Sequence, residues 1–257
     1  MSALTKSDTL RTLHVPGTPL VLPNAWDAAS ARLVEAAGFP VVATSSNAMA
    51  AVLGYEDGEQ VPVDDALAYV ATIADAVRVP VTADFERGFR LSPVELVERF
   101  AATGAVGFNL EDSNPSTREM VDASAQADFL AAVRAASDAS GVDLVINART
   151  DSFIRRAGSP DEQLAASLDR GTRYLAGGAD CIYPIATSDP DVIRALVDGI
   201  PGPVNVGFGG GKASLSDLAA LGVARVSFGP SLQRHLYDTF ASSLLAAVAS
   251  GADPFAA

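Results

Sequence analysis

Acidic side chains stand at the ends of two apolar runs of this chain, and each run has the composition of a β-strand. Asp84 and Glu86 close one run, and Glu111 closes the next. On an extended chain Asp84 and Glu86 point to the same side, and Glu111 comes from the neighbouring strand at the same height, so three carboxylates should converge. Such close like charges raise one another's pKa unless a cation lies among them.

This carboxylate cluster consists of oxygen donors, without histidine or cysteine, which is the donor set that suits Mg²⁺ or Mn²⁺. We therefore predict Asp84, Glu86 and Glu111 as metal ligands. The alternative is that these acids cap helices or form salt bridges at the rim of the fold.

An arginine ends the next apolar run, and two serines end an earlier one. The planar guanidinium of Arg149 matches a carboxylate or phosphonate bidentately, although an ion pair with Asp151 is the alternative. Ser45 and Ser46, with their backbone amides, are suited to hold the other end of a small dianion. The predicted substrate-binding residues are Ser45, Ser46, Asn47, Asp84, Arg149 and Asn205, and the predicted catalytic residues are Asp57, Glu111 and Arg149.

The histidines and the cysteine fall away from these strand ends. His14 lies in an N-terminal segment and His235 in a terminal helix, which favours surface or packing roles for both. Cys181 is the single cysteine, so an internal disulfide and a cysteine-based zinc site are excluded. We predict that it is a buried strand residue.

Eight apolar, β-rich runs alternate with helical patterns along the chain, which predicts parallel strands joined by crossover helices. This order favours an α/β fold of the (β/α)8-barrel (TIM-barrel) type, whose active sites lie at the carboxyl ends of the strands. An open doubly wound sheet is the alternative, but Pro23-Asn24-Ala25-Trp26-Asp27 after the first strand is no glycine-rich phosphate turn. The predicted strands span residues 20–23, 41–45, 79–84, 106–111, 144–149, 181–185, 204–208 and 226–228.

Start and stop signals separate these elements. Ser92-Pro93, Ser159-Pro160 and Asp189-Pro190 each pair a helix cap with proline at the first helical position. Segments 47–62 and 113–123 are predicted as long connections, either lids or ordinary surface loops. Segment 231–249 is predicted as a helix more apolar than an exposed helix should be, so it either closes the barrel or packs on another subunit. Left-handed glycines are expected before five strands, at Gly38, Gly104, Gly141, Gly178 and Gly222.

Length and composition set the class of protein. The 257 residues, 49% of them hydrophobic, fit one barrel domain over 1–257. No apolar run approaches a membrane span, and the polar N-terminus lacks a secretory signal, so we expect a cytoplasmic protein without a membrane partner. A net charge of −13 with two lysines makes a nucleic-acid partner improbable.

Several stretches, in this order and spacing, resemble the isocitrate lyase and phosphoenolpyruvate mutase superfamily. The resemblance implies a (β/α)8 barrel whose last helix swaps with a neighbouring subunit in a homo-oligomer, a tetramer or a dimer. The matching stretches are Pro23-Asn24-Ala25-Trp26-Asp27, Thr44-Ser45-Ser46, Leu53-Gly54-Tyr55-Glu56-Asp57, Ala83-Asp84-Phe85-Glu86-Arg87-Gly88-Phe89, Gly107-Phe108-Asn109-Leu110-Glu111-Asp112 and Ile146-Asn147-Ala148-Arg149-Thr150-Asp151.

The resemblance also implies roles for single residues. Asp57, Asp84, Glu86 and Glu111 would ligate Mg²⁺ directly or through water. The 2-oxo acid substrate would be held by Ser45, Ser46 and Arg149. The shared chemistry is the formation or cleavage of a bond next to an enolpyruvate-like oxyanion.

Departures from the family pattern bear on the reaction. Lyases of the family carry a cysteine acid–base in a Lys-Lys-Cys-Gly-His stretch, and phosphonomutases carry a lysine and an Asn-Ser pair, whereas segment 113–122 has neither. Strand six reads Ile182-Tyr183-Pro184-Ile185 where the family often has His or Glu, and Glu86 replaces the more usual Asp. A thiol-dependent carbon–carbon lyase is therefore disfavoured.

The sequence leaves two interpretations of the function open. One is an enzyme that stabilises an enolate, such as a 2-oxo acid decarboxylase or a phosphonomutase-type enzyme, with any acid supplied by Tyr55, Arg118 or Glu119. The other is a non-catalytic 2-oxo acid binding protein that keeps the metal and anion site. Turnover with Mg²⁺ would separate them.

Overall fold

The computed structural model describes residues 3–156, 158–209 and 213–255. Eight parallel strands occur at nearly the predicted positions, and several are buried on both faces, as their continuous apolar sequences require. The strands are β1 Leu20–Leu22, β2 Val42–Ala43, β3 Val81–Asp84, β4 Gly107–Glu111, β5 Val145–Thr150, β6 Cys181–Pro184, β7 Asn205–Gly207 and β8 Arg225–Ser227.

The strands close into a ring. Strands β2 to β6 pair in chain order, and β8 pairs with both β1 and β7. Two isolated parallel bridges join these groups, between Asn24 and Ala43 and between Ile182 and Val204. Each strand therefore has a neighbour on both sides, which confirms the predicted (β/α)8 barrel and excludes the open sheet.

Helices alternate with the strands, and the predicted start signals are confirmed. The side chains of Ser92, Ser159 and Asp189 accept hydrogen bonds from backbone N–H groups of the helices they precede. The five predicted glycines have left-handed backbone angles. The helices are α1 Ala3–Thr12, α2 Ala28–Ala36, α3 Ser46–Leu53, α4 Val63–Ala76, α5 Pro93–Ala101, α6 Ala123–Ser140, α7 Pro160–Ala176, α8 Pro190–Gly199, α9 Leu215–Ala220, α10 Ser231–Thr239 and α11 Ala246–Ala249.

The predicted connection 47–62 is wrong in its first half, because residues 46–53 form α3. Ser45 Oγ accepts from the backbone N of Ala48 at 3.5 Å, and Gly54 ends the helix with φ 82°. Two residues separate this helix from β2, and the strand is shorter than predicted, Val42–Ala43. The connection 113–123 is a loop as predicted, folded back by a bridge between Ser113 and Met120.

An ion-pair network lies at the amino ends of the strands. Arg11 of α1 binds Asp180 at 2.8 Å and Asp143 at 2.5 Å, and Arg134 of α6 binds Asp180 at 2.6 Å. Asp143 precedes β5 and Asp180 precedes β6, so the network ties helices to the end of the barrel opposite the predicted site. Leu10 packs beside it among apolar strand residues.

The C-terminal helix forms as predicted but contributes little to the core. Helix α10 runs through a π-helical segment, Phe240–Leu245, into α11. Gln233 is the one buried residue of α10, whereas Leu236, Tyr237 and Phe240 are exposed. The helix therefore does not close the barrel, and its packing on another subunit stays a prediction.

Within the described residues, no helix is both long enough and apolar enough to span a membrane.

Candidate active site

Two adjoining cavities open at the carboxyl ends of the barrel strands. The central cavity, of about 250 Å³, is lined by Asp84, Asn109, Tyr183 and Ser227 among others. The outer cavity, of about 320 Å³, includes Glu86, Glu111, Arg118 and Arg155. The two cavities share Ser46, Asn47, Asp57, Arg149 and Ile154.

Asp84 is fixed by the start of α3. The backbone N and the Oγ of Ser46 donate to Asp84 Oδ2 at 3.1 and 2.9 Å. Its other oxygen, Oδ1, is buried and has no hydrogen-bond partner among the described residues. An unpartnered buried carboxylate oxygen is costly, so Asp84 presents a vacant acceptor at the end of β3.

Glu86 lies just beyond β3 in the left-handed region, with φ 49°. Its carbonyl accepts from the backbone N of Glu111 at 2.8 Å, and its Oε2 accepts from the backbone N of Glu59 at 2.6 Å. Glu86 Oε1 is buried, without a partner in the described chain. A strained non-glycine backbone beside a vacant acceptor is typical of functional sites.

Glu111 and Arg149 face each other across β4 and β5, where they are register partners. Arg149 Nη1 lies 2.7 Å from Glu111 Oε2. The same guanidinium donates to Asp151 from Nε at 2.6 Å and from Nη2 at 3.2 Å. The ion pair with Asp151 that the sequence left open is therefore present, and it orients Arg149 while the residue still lines both cavities.

Burial raises the pKa of three acids at these strand ends, Asp84, Glu86 and Glu111. The pKa of Glu86 rises to about 9 through burial and the charges of Asp57, Asp84 and Glu111. The pKa of Glu111 rises to about 8 through burial, against the opposing effect of Arg149. Burial also raises the pKa of Asp84. The acids therefore form a site whose negative charge is poorly compensated by the protein.

Among the described residues, no group of three or more acidic, histidine or cysteine side chains is arranged to hold a metal ion by itself. The sequence predicted one converging set of three carboxylates. The structure keeps them around the two cavities, but Glu111 turns to Arg149 and one oxygen of Glu86 turns to the Glu59 backbone. Metal binding by these acids stays a prediction.

Of the other predicted site residues, Asn47, Asp57 and Ser45 line the cavities, whereas Asn205 does not. Asn47 Nδ2 donates to Asp57 Oδ2 at 3.3 Å, and Arg234 of α10 donates to Asn47 Oδ1 at 2.8 Å, so these three side chains form one edge of the central cavity. Ser45 lines the central cavity while capping α3. Asn205 is fully buried behind Ser227, outside the cavity wall.

Sequence patterns missed several residues of the central cavity. Tyr183 and Ser227 line the central cavity from β6 and β8. Their positions near the carboxyl ends of predicted strands were the sequence signal that could have identified them. Asn24 lies in the Pro23-Asn24-Ala25-Trp26-Asp27 stretch, yet the sequence did not predict its role. Asn24 donates to Thr44 O at 2.5 Å and accepts from the backbone N of Phe228 at 2.8 Å. It thereby joins three strands at the rim.

The predictions for residues outside the site agree with the structure. Cys181 is fully buried in β6, and burial raises the pKa of its thiol to about 12. His14 is a buried packing residue and His235 is exposed. Neither histidine lines a cavity at the strand ends.

A buried layer supports Arg149 from behind. Asp112 Oδ1 accepts from the backbone N of Asp151 at 2.8 Å. Asp112 Oδ2 accepts from Tyr174 Oη at 2.7 Å and from Arg170 Nη1 at 3.0 Å. This layer fixes the segment that carries the guanidinium, and its residues are distant in sequence.

We predict that Tyr174→Phe lowers the free energy of unfolding by about 1.5–3 kcal/mol, because it removes a hydrogen bond to a buried, charged acceptor. Urea denaturation would measure the loss. Tyr237→Phe is the matched control, since that tyrosine is exposed on α10 and should change stability little. Equal stability of both variants and the parent would contradict this role for Tyr174.

Comparisons with known proteins agree with this geometry. The phosphoenolpyruvate phosphomutase family model matches residues 10–248. The 2-methylisocitrate lyase of Salmonella typhimurium is 30% identical over 72% of this chain and 68% of its own length. The crystal structure of a candidate phosphonomutase from Burkholderia cenocepacia J2315 is 42% identical, covers 92% of this chain and 98% of that one, and superposes with a TM-score of 0.88.

A third relative was solved with small ligands. The structure of a phosphonopyruvate hydrolase in complex with oxalate and Mg²⁺ is 26% identical to this chain. It covers 96% of this chain and 88% of its own, with a TM-score of 0.83.

Proposed function

Since this chain belongs to the phosphoenolpyruvate phosphomutase family, an enzyme family of lyases and phosphonomutases, we propose that it is a Mg²⁺-dependent enzyme acting on a small 2-oxo acid. The reaction would break or rearrange the C–C or P–C bond next to an enolpyruvate-like oxyanion. The observation that carries the proposal is the pair of vacant, buried carboxylate oxygens, Asp84 Oδ1 and Glu86 Oε1, beside Arg149.

The residues at the strand ends fit a hard divalent cation. Their donors are all oxygens, and two of these lack a partner within the described chain. Asp84 and Glu86 would hold Mg²⁺ most directly, with Glu111 and Asp57 contributing through water. A bound Mg²⁺ would supply positive charge to stabilise the oxyanion that develops next to the breaking bond.

The substrate would be oriented by the chain's own donors. Arg149, held by Glu111 and Asp151, would donate its remaining N–H groups to the substrate carboxylate. Ser45, Ser46 and Asn47 line the same cavity on the opposite strand ends and would hold the other end of the anion. Asn205 is proposed only as a support for Ser227, because it lies behind that residue.

When a bound cation holds Asp84, Glu86 and Glu111 as carboxylates against their raised pKa values, a proton donor is scarce at this site. Of the three residues suggested by sequence, Arg118 lines the outer cavity, but a guanidinium does not release its proton near neutral pH. Tyr183 lines the central cavity, and burial raises the pKa of its phenol, so Tyr183 Oη keeps its proton. This supports a reaction that needs little acid catalysis, such as decarboxylation or phosphoryl transfer.

The proposal predicts a substrate profile. With Mg²⁺, the protein should consume oxaloacetate or phosphonopyruvate, and it should fail to cleave isocitrate or 2-methylisocitrate at the rate of a thiol-dependent lyase. Segment 113–122 has no cysteine, histidine or lysine to protonate the carbanion that retro-aldol cleavage leaves. Glyoxylate or pyruvate release at about 1 s⁻¹ or faster from the last two substrates would contradict this profile. Oxalate-induced stabilisation without turnover of any 2-oxo acid would instead support the binding protein.

A further inference from the structure

The largest fully buried side chain of the described residues is that of Arg225, at the start of β8. Its guanidinium lies inside the barrel beneath the central cavity, where Nη2 donates to Asn109 Oδ1 at 3.1 Å and Nη1 lies 3.4 Å from His14 Nε2. The Nε of Arg225 has no partner in the described chain. Within those residues no carboxylate forms an ion pair with it.

The two hydrogen-bond partners of Arg225, Asn109 and His14, are both neutral acceptors. His14 Nδ1 lies 2.8 Å from the carbonyl of Leu10, so Nδ1 carries the proton and Nε2 accepts from the arginine. Burial and the nearby charge of Arg225 lower the pKa of His14 to about 4, which keeps the imidazole neutral. The positive charge of Arg225 is therefore uncompensated by its contacts, an arrangement that costs stability.

This arginine determines the orientation of Asn109. A guanidinium only donates hydrogen bonds, so Asn109 must present its oxygen to Arg225. Asn147 Nδ2 donates to the same oxygen at 2.8 Å. A flipped amide would place its N–H groups against the guanidinium. The amide nitrogen of Asn109 is thus directed away from both donors.

Asn109 lines the central cavity together with Asp84 and Arg149, so its amide nitrogen, Nδ2, is directed toward that cavity. Asn109 Nδ2 makes no hydrogen bond with the part of the chain that the structure describes, and it is absent from the buried unpartnered atoms. Two N–H donors therefore face the cavity. Arg149 is paired with Glu111 and Asp151, whereas no carboxylate within the described residues forms an ion pair with Arg225.

We propose that Asn109 is a substrate-binding residue whose side-chain N–H groups donate to a carboxylate or carbonyl oxygen of the bound 2-oxo acid, and that Arg225 is the positioning residue that fixes this amide. The inference rests on the proposed function for the identity of the occupant. Arg225 acts from beneath the site and does not touch the substrate.

The experiment is titration calorimetry of oxalate with Mg²⁺ present, paired with thermal unfolding of each variant. Asn109→Asp keeps the side-chain shape and an oxygen toward Arg225 but replaces the N–H donors with a negative charge. We expect oxalate to bind at least tenfold more weakly, while the apoprotein melts at the same or a higher temperature because Arg225 gains a carboxylate partner. Arg225→Lys should keep oxalate affinity within about threefold, and Arg225→Met should lose at least fivefold.

Arg134→Met is the control, since it removes a partly buried arginine at the opposite end of the barrel. It should lower the melting temperature and leave oxalate affinity unchanged. If Arg225→Met does not fold, Asn109→Asp and the response of the Asn109 side-chain amide signal in ¹⁵N spectra to oxalate decide the matter. Parent-like affinity in Asn109→Asp, or an amide signal that oxalate leaves unmoved, would overturn this inference alone. Failure of the wild-type protein to bind oxalate would overturn the proposed function with it.

Discussion

Replacing Asp84 with alanine should abolish the stabilisation of the protein by Mg²⁺ and oxalate. Asp84 is the acid with a vacant buried oxygen that also lines the central cavity, and its second oxygen is held by Ser46, so the carboxylate is fixed in place before any ligand arrives. A preorganised ligand is worth more than a mobile one because binding does not have to order it. Loss of Asp84 removes one of the two vacant, buried carboxylate oxygens of the site and leaves Glu86 Oε1 as the other.

The expected effect is large enough for a thermal-shift assay. A ligand present at about 100 times its dissociation constant stabilises a protein by about 2.7 kcal/mol. For a chain of this size, that corresponds to a rise of about 5–10 °C in the melting temperature. The parent should show this rise with Mg²⁺ and oxalate together, and Asp84→Ala should show none.

Asp198→Ala is the matched control, because it removes an exposed carboxylate of α8 far from the strand ends. It should keep the full shift. Turnover of the substrate found in the screen should fall by at least about 10³-fold in Asp84→Ala, or about 4 kcal/mol of transition-state stabilisation. An unchanged thermal shift in Asp84→Ala would remove this residue from the metal site.

The second large effect is expected from Arg149→Lys. Arg149 uses three N–H groups to reach Glu111 and Asp151 at once, which a single ammonium group cannot do with the same geometry. The variant should raise the Michaelis constant at least tenfold and weaken oxalate binding to the same degree, because a point charge cannot hold a carboxylate bidentately. Steady-state kinetics with competing oxalate would measure both.

Arg173→Lys serves as the control for this substitution. Arg173 forms an exposed pair with Asp169 one turn away on α7, where Arg and Lys are nearly equivalent. Parent-like constants are expected there. The same result in Arg149→Lys would exclude Arg149 from substrate binding.

The barrel and the position of its acids were predictable because they depend on local sequence. Asp84, Glu111 and Arg149 each come at the end of an apolar run of strand length, so each marks the carboxyl end of a strand. Parallel pairing brings these carboxyl ends to one edge of the barrel. Helix starts such as Ser159-Pro160 were equally readable, since the capping side chain and the helix lie within one turn. The start of α3 was missed because Ser45 and Ser46 fit a strand end and a helix cap alike.

Side-chain partnerships across the barrel were not predictable. Arg225 meets Asn109 although 116 positions separate them, and Tyr174 meets Asp112 across 62 positions. Local propensity carries no information on such pairs. The direction of Glu111 is a rotamer choice set by the neighbouring Arg149, so the expected trio of carboxylates could be located from sequence but its contacts could not.

The ion-pair network of Arg11, Asp143, Asp180 and Arg134 has a bearing on how this scaffold can be altered. It shares no partner with the residues of the two cavities, which lie at the other end of the strands. Free-energy effects of substitutions at such separate places add to within about 0.5 kcal/mol. Directed evolution can therefore raise the melting temperature of the protein by substitutions at the amino ends of the strands. The stabilised protein would then tolerate destabilising substitutions at the carboxyl ends of the strands that alter substrate preference.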